Sequence, residues 1–255
     1  MKTVVVTGTG TDVGKTIFTA ALASNALAQG LRVAVVKPYQ TGVGPDERGD
    51  LAMVERLTGI GDLHEYVRYA EPLAPGTAAR RLGEDGLSVR EAAERIHALA
   101  DRDYVIVEGA GGLRVHLDAH GDDLTDLINA LGDGVAVMLV AGAGLGTLNI
   151  TALTARTLEK ETGYGVDGVI VGAWPEHPDL AERCNLADLP RYAGNGYVQS
   201  PLAGVLPAGA GNLDGAKFAQ LAAAALTPAL GGHFDAQDFV DRNSAPLPEP
   251  QSKGL

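Results

Sequence analysis

The sequence predicts one α/β domain, a mostly parallel twisted sheet covered by helices on both faces, and three observations carry that expectation. Short β-branched runs alternate with longer alanine-rich stretches, the pattern of buried parallel strands joined by crossover helices. The 255 residues are 45% hydrophobic and 20% charged, ordinary figures for a chain that buries one sizeable core. No compositional break near the middle divides it in two.

Taken in order, residues 3–7 are a valine-rich strand and 15–29 a helix, followed by a strand at 32–36 and a helix at 50–57. A helix at 89–100 leads into strands at 104–107 and 135–140, then a helix at 147–162. The strand at 168–171, helix at 178–188, strand at 202–206 and helix at 214–226 complete the alternation. The helices are assigned on their Ala, Leu, Glu and Gln content and on apolar positions recurring every three to four residues. Right-handed crossovers then give a sheet covered on both faces. The segments 39–49 and 109–123 are rich in Gly, Pro and Asp and directly follow strands, where ligands of open α/β sheets bind. After about residue 230 the pattern stops; 244–252 holds three prolines and no periodicity. The expectation is a domain at 1–230 and a flexible tail at 231–255.

Thirty-two acidic against 20 basic residues give a net charge of −12, the wrong sign for coating nucleic acid or an anionic membrane. Neither is expected as a partner, so a bound polyanion must be held locally. Cys184 is the one cysteine and cannot form an internal disulfide, which fits a reducing compartment. The apolar run before Gly8 is too short for a signal peptide, and no stretch nears the roughly 20 apolar residues of a membrane span. A cytoplasmic protein is expected.

The strongest chemical signal is Gly8-Thr9-Gly10-Thr11-Asp12-Val13-Gly14-Lys15-Thr16, between a strand and a helix. Backbone N–H groups there can cradle phosphate oxygens, Lys15 neutralises charge, and the Thr16 hydroxyl reaches a magnesium ion. Strict GxxxxGK[ST] spacing is not met, since Gly8 to Gly14 leaves five residues and Gly10 to Gly14 three; this is a variant phosphate loop. The second signal is Glu108, which ends a buried strand and precedes Gly109-Ala110-Gly111-Gly112, a placement suited to holding a metal opposite Thr16. Asp50 suits a helix N-cap as well as a metal ligand. Lys37 follows a strand toward the same sheet edge as Lys15, though an exposed edge lysine would look the same. His116 and His120 lie four apart in an extended run rather than a helix, which weakens a metal reading. Gly142-Ala143-Gly144-Leu145-Gly146 is GxGxG, a tight substrate or interface loop rather than a dinucleotide fingerprint.

Together, Gly8 to Thr16, Lys37-Pro38 with Thr41-Gly42, Asp50, Glu108 to Gly112 and Leu145-Gly146-Thr147-Leu148-Asn149 resemble the dethiobiotin synthetases, P-loop enzymes that close the ureido ring in biotin synthesis at the expense of ATP. The resemblance covers residues 1–226, and the long phosphate-loop gap is normal in that family. It implies that Asp12, Val13, Gly14, Lys15, Thr16 and Ile17 hold nucleotide phosphates, with Gly109, Ala110 and Gly111 beside them. It implies magnesium on Thr16, Asp50 and Glu108, and Lys37 as the catalytic lysine with Lys15 supplying further positive charge. Thr11, Thr41, Lys37 and the Gly111 region would contact the diamine substrate, 7,8-diaminononanoate, which takes up CO2. Gly146, Thr147, Leu148 and Asn149 would receive its carboxylate end from the second subunit of a homodimer. For the base it implies Gly172 and Ala173, with Pro207, Ala208 and Gly209. Where the family often has Asn-Asp, Gly172-Ala173 offers only main chain, so relaxed base selectivity is expected. The alternative reading is a nucleotide-switch ATPase of the partitioning type. Such proteins carry an extra lysine early in the loop, and Gly8-Thr9-Gly10-Thr11 holds none.

Overall fold

A computed structural model describes residues 2–194 and 198–246. In chain order the elements are β1 (Lys2–Gly8), α1 (Lys15–Ala28), β2 (Val33–Thr41), α2 (Asp50–Thr58), β3 (Leu63–Tyr69), α3 (Pro75–Leu82) and α4 (Val89–His97). There follow β4 (Tyr104–Glu108), α5 (Leu124–Leu131), β5 (Val135–Ala141), α6 (Thr147–Thr162), β6 (Gly168–Trp174), α7 (Leu180–Ala193), β7 (Leu202–Pro207), α8 (Gly215–Ala225) and α9 (Ala236–Asn243). The seven strands form one parallel sheet in the order β3-β2-β4-β1-β5-β6-β7. The strand tips of β1, β2 and β4 therefore lie side by side, and they carry the phosphate loop, Lys37 and Glu108.

Because both faces of the sheet are covered, its central strands alternate between two cores rather than between core and water. On one side Val4 and Val6 pack with Phe18 and Leu22 of α1, Val54 of α2 and Phe218 of α8. On the other, Val5 packs with Ile96 of α4, Ile128 of α5, Leu158 of α6 and Leu186 of α7. Val4, Val5 and Val6 are all essentially inaccessible, which fixes the register of the centre.

Three sequence expectations need correction. The second strand does not end at residue 36, and Lys37 lies inside it, not after it: β2 runs through Lys37-Pro38 to Thr41. Proline is tolerated because β4 pairs with β2 only as far as Val36↔Val107, and Pro38 has no partner in the register with β3. The edge strand β3 and the helices α3, α5 and α9 were not expected. His64, Glu65 and Arg68 interrupt the apolar run of β3, while α5 announces itself through reciprocal capping by Asp123 and Asp126. Finally, the segment read as a flexible tail from 231 carries packed chain: Phe234 is buried, and Phe239 of α9 meets Trp174 edge-on at 6.0 Å between ring centroids. Residues 247–255 of that segment lie outside the described residues. Among the described residues no helix is long and apolar enough to cross a membrane.

Candidate active site

The turn from β1 into α1 is held by close approaches that exclude side chains. A Cβ on Gly14, whose φ is +100°, would fall 2.5 Å from the Gly172 carbonyl oxygen, and one on Gly8 would fall 2.8 Å from a Val13 methyl. Asp12 also adopts a positive φ, of 59°, a conformation that aspartate tolerates better than most side chains. The loop thus rests on β6, and its Thr9 N–H is tied to the Val140 carbonyl of β5 at 2.9 Å.

Lys15 is buried and folds back across this loop to donate to the Gly10 carbonyl oxygen at 2.7 Å. Burial first, and then the charge of Lys37, push its pKa below the ordinary lysine value. Lys37 reaches inward from β2, and its Nζ lies 2.7 Å from Glu108 Oε1 and 2.7 Å from Asp50 Oδ2, with the Gly109 carbonyl at 3.3 Å. Burial alone would lower its pKa, but Glu108 and then Asp50 outweigh it and hold the lysine above its usual value. Thr16 Oγ1 donates to the same Glu108 Oε1 at 2.8 Å. The other oxygen, Glu108 Oε2, is buried with no hydrogen-bond partner. A carboxylate at 1% exposure, with one oxygen fully engaged and one free, has room for a further donor or a cation.

These groups line a cleft of about 850 Å³. Thr11, Asp12, Gly14, Lys15, Thr16 and Ile17 line it together with Lys37 and Thr41 of β2 and Asp50, Glu108, Ala110 and Gly111. Tyr39, Gln40 and the turn from Pro72 to Pro75 complete the wall. Those residues carry no motif; 39–49 is marked in the sequence only as a Gly-, Pro- and Asp-rich segment following a strand. Val13 supports the loop from behind, and Gly109 enters through its carbonyl.

The other expected positions lie outside this cleft. Gly172 is buried, and a Cβ there would sit 2.0 Å from the Val13 carbonyl oxygen, so its place is taken by the phosphate loop. Ala173 is exposed, and Ala208 and Gly209 follow the end of β7. Pro207 borders a second cavity of about 490 Å³ together with Trp174 and Phe239. Gly146 and Asn149 are exposed at the start of α6, Leu148 is half-buried, and Thr147 donates to the Gly142 carbonyl at 2.7 Å. Asn185 steadies that loop by donating to the carbonyls of Ala143 and Gly144. Cys184 is free and exposed.

Comparison with known proteins decides among P-loop proteins. The ATP-dependent dethiobiotin synthetase BioD of Frankia casuarinae is 55% identical over 243 residues, spanning 95% of this chain and 99% of that one. The chain belongs to the dethiobiotin synthetase family. The BioD proteins of Streptomyces coelicolor and Rhodococcus jostii are 52% and 54% identical, over 95% and 86% of this chain and 99% and 91% of their own. A family described as an AAA domain matches residues 2–210. Among solved structures, the cell division ATPase MinD of Pyrococcus furiosus superposes with a TM-score of 0.50 over 87% of this chain and 97% of its own, at 18% identity. That likeness shows the shared fold. In this dethiobiotin synthetase family member the cleft beside the phosphate loop is also lined by Lys37 and Thr41.

Proposed function

We propose that the chain closes 7,8-diaminononanoate with CO2 to dethiobiotin at the expense of ATP, and that the cleft described above is where it does so. One observation carries the placement: a single cavity joins the phosphate loop to Lys37 and Thr41, giving a nucleotide and a second, smaller substrate adjoining places. One amine of the diamine bonds to the carbon of CO2 and loses a proton, giving a carbamate. A carbamate oxygen attacks the γ-phosphorus as ADP leaves, and the second amine then attacks the carbonyl carbon as phosphate departs, closing the urea ring.

Each step gathers negative charge, and Lys15 and Lys37 stand at the two sides of the γ-phosphate position to offset it. Lys37, held charged by its carboxylates, would meet the carbamate; Thr11, Thr41 and Gly111 would orient the diamine. Magnesium fits the donor set: Thr16, Asp50 and Glu108 offer hard oxygens, and the unpartnered Glu108 Oε2 suits a cation. Such an ion would neutralise β- and γ-phosphate charge. Nothing in this scheme needs a covalent nucleophile, and Cys184, free and exposed on α7, does not line the cleft.

We infer a homodimer on the same footing. Leu145 is 92%, Ile150 45% and Leu153 58% exposed around the start of α6, an apolar face beside the loop that would complete a partner's diamine site. The activity is tested by mixing protein, diaminononanoate, bicarbonate, magnesium and ATP and following the cyclic urea by mass spectrometry. Phosphate release without cyclisation would defeat the proposal.

A further inference from the structure

Gln40 lies three residues beyond Lys37, is 3% exposed, and has a role that no motif records. Its Oε1 accepts the Asp50 backbone N–H at 2.9 Å, and its Nε2 donates to the Thr41 carbonyl at 3.1 Å. The two partners leave one orientation for the amide, since an N–H needs its oxygen and a carbonyl needs its nitrogen. Asp50 opens α2, whose N-cap is Gly49 and has no side chain to cap it, so Gln40 supplies the missing acceptor from another strand. Gly49 lets the amide approach closely: a Cβ there would fall 2.8 Å from Gln40 Oε1, so a larger residue would displace it.

The surrounding segment is clamped from the same side. Arg68, opposite Gln40 in the β2–β3 register, donates to the carbonyls of Gly44 and Glu47 and is itself held by both oxygens of Glu65. Residues 42–49 thus return to α2 at a set height, and the last link before Asp50 is the Gln40 amide. One planar group therefore ties Thr41, at the diamine end of the cleft, to Asp50, whose carboxylate bonds Lys37.

We propose that Gln40 is a positioning residue that couples the diamine and metal ends of the site, a proposal that rests on the assignment of Asp50 to magnesium and Thr41 to the diamine. Gln40→Met keeps the size and loses both hydrogen bonds. By analogy with other residues that orient metal ligands, it should raise the magnesium half-saturation and the Mn2+ dissociation constant, read by electron paramagnetic resonance, by about tenfold or more. The KM for the diamine should rise similarly, while the KM for ATP at saturating magnesium stays within about twofold. At a pH where it is ionised, Gln40→Glu keeps the acceptor and loses the donor, so metal binding should return toward the parent value while the diamine KM stays raised. If Gln40→Met shifts only the melting temperature, or if Gln40→Glu restores both constants together, the coupling is refuted. If Gln40→Met does not fold, the Gln40→Glu split decides alone. Asp50→Asn separates the two levels: unchanged Mn2+ binding there removes the metal assignment and this proposal with it, whereas weakened binding in Asp50→Asn but not in Gln40→Met removes only the role of Gln40.

Discussion

Lys37 is a cation enclosed by two carboxylates, and breaking such a buried cluster leaves charge uncompensated. Lys37→Met should therefore cut ring closure by about a thousandfold, or ~4 kcal/mol of transition-state stabilisation, while nucleotide affinity changes far less. Single-turnover ring closure and nucleotide titration check this together; near-normal turnover would take Lys37 out of the chemistry. The base is the second residue-scale matter. Position 172 has no room for a side chain over the Val13 carbonyl, so a side-chain amide there is sterically excluded. CTP, GTP and UTP should support ring closure within about an order of magnitude of ATP, since a dedicated polar contact can otherwise discriminate by far more. A preference for ATP above about a hundredfold in kcat/KM would overturn that expectation. Part of this site is legible in the sequence alone. Gly8 to Thr16 and Glu108 speak locally, because a strand, a glycine turn and a helix N-terminus are contiguous in the chain. Gln40, Tyr39 and Pro72 become part of the site only when β2 and β3 pair.

Among the elements, the strands most easily recognised in the sequence are those buried on both faces. β1, β4 and β5 are largely apolar runs rich in valine, whereas β3, at the sheet edge, mixes His64, Glu65 and Arg68 with its apolar positions because it need not be buried throughout. Lengths failed for the same kind of reason: Pro38 reads as a stop, and only the divergence of β4 makes it admissible. The segment after 230 looks like a tail in the sequence because α9 is short and mostly polar, and its attachment depends on Phe234, Phe239 and Val240 meeting Trp174 and the core. Removing residues 237–255 should accordingly lower the melting temperature by about 5 °C or more, from the loss of ~2 kcal/mol of apolar contact. Calorimetry of the truncated protein showing no shift would mean that α9 adds nothing to stability.

For the whole molecule, the exposed Leu145, Ile150 and Leu153 predict an association that the acidic surface elsewhere would oppose. Replacing Ile150 and Leu153 together by Asp should shift sedimentation to a monomer and abolish ring closure with it. A fully active monomer would contradict the shared site. The sheet order has a consequence in time as well as in space. β1 lies between β4 and β5, so the earliest strand of the sheet to be synthesised finds both neighbours only when residues 104–108 and 135–141 have been made. At about 5–20 residues per second its valines wait roughly 5–20 s for β4 alone. During translation a strand whose valines are buried in the finished protein is thus a free hydrophobic segment and a natural client for a holding chaperone. Nascent chains stalled with residue 100 newly emerged should be cut readily by protease within residues 2–8, and those stalled beyond residue 141 should resist.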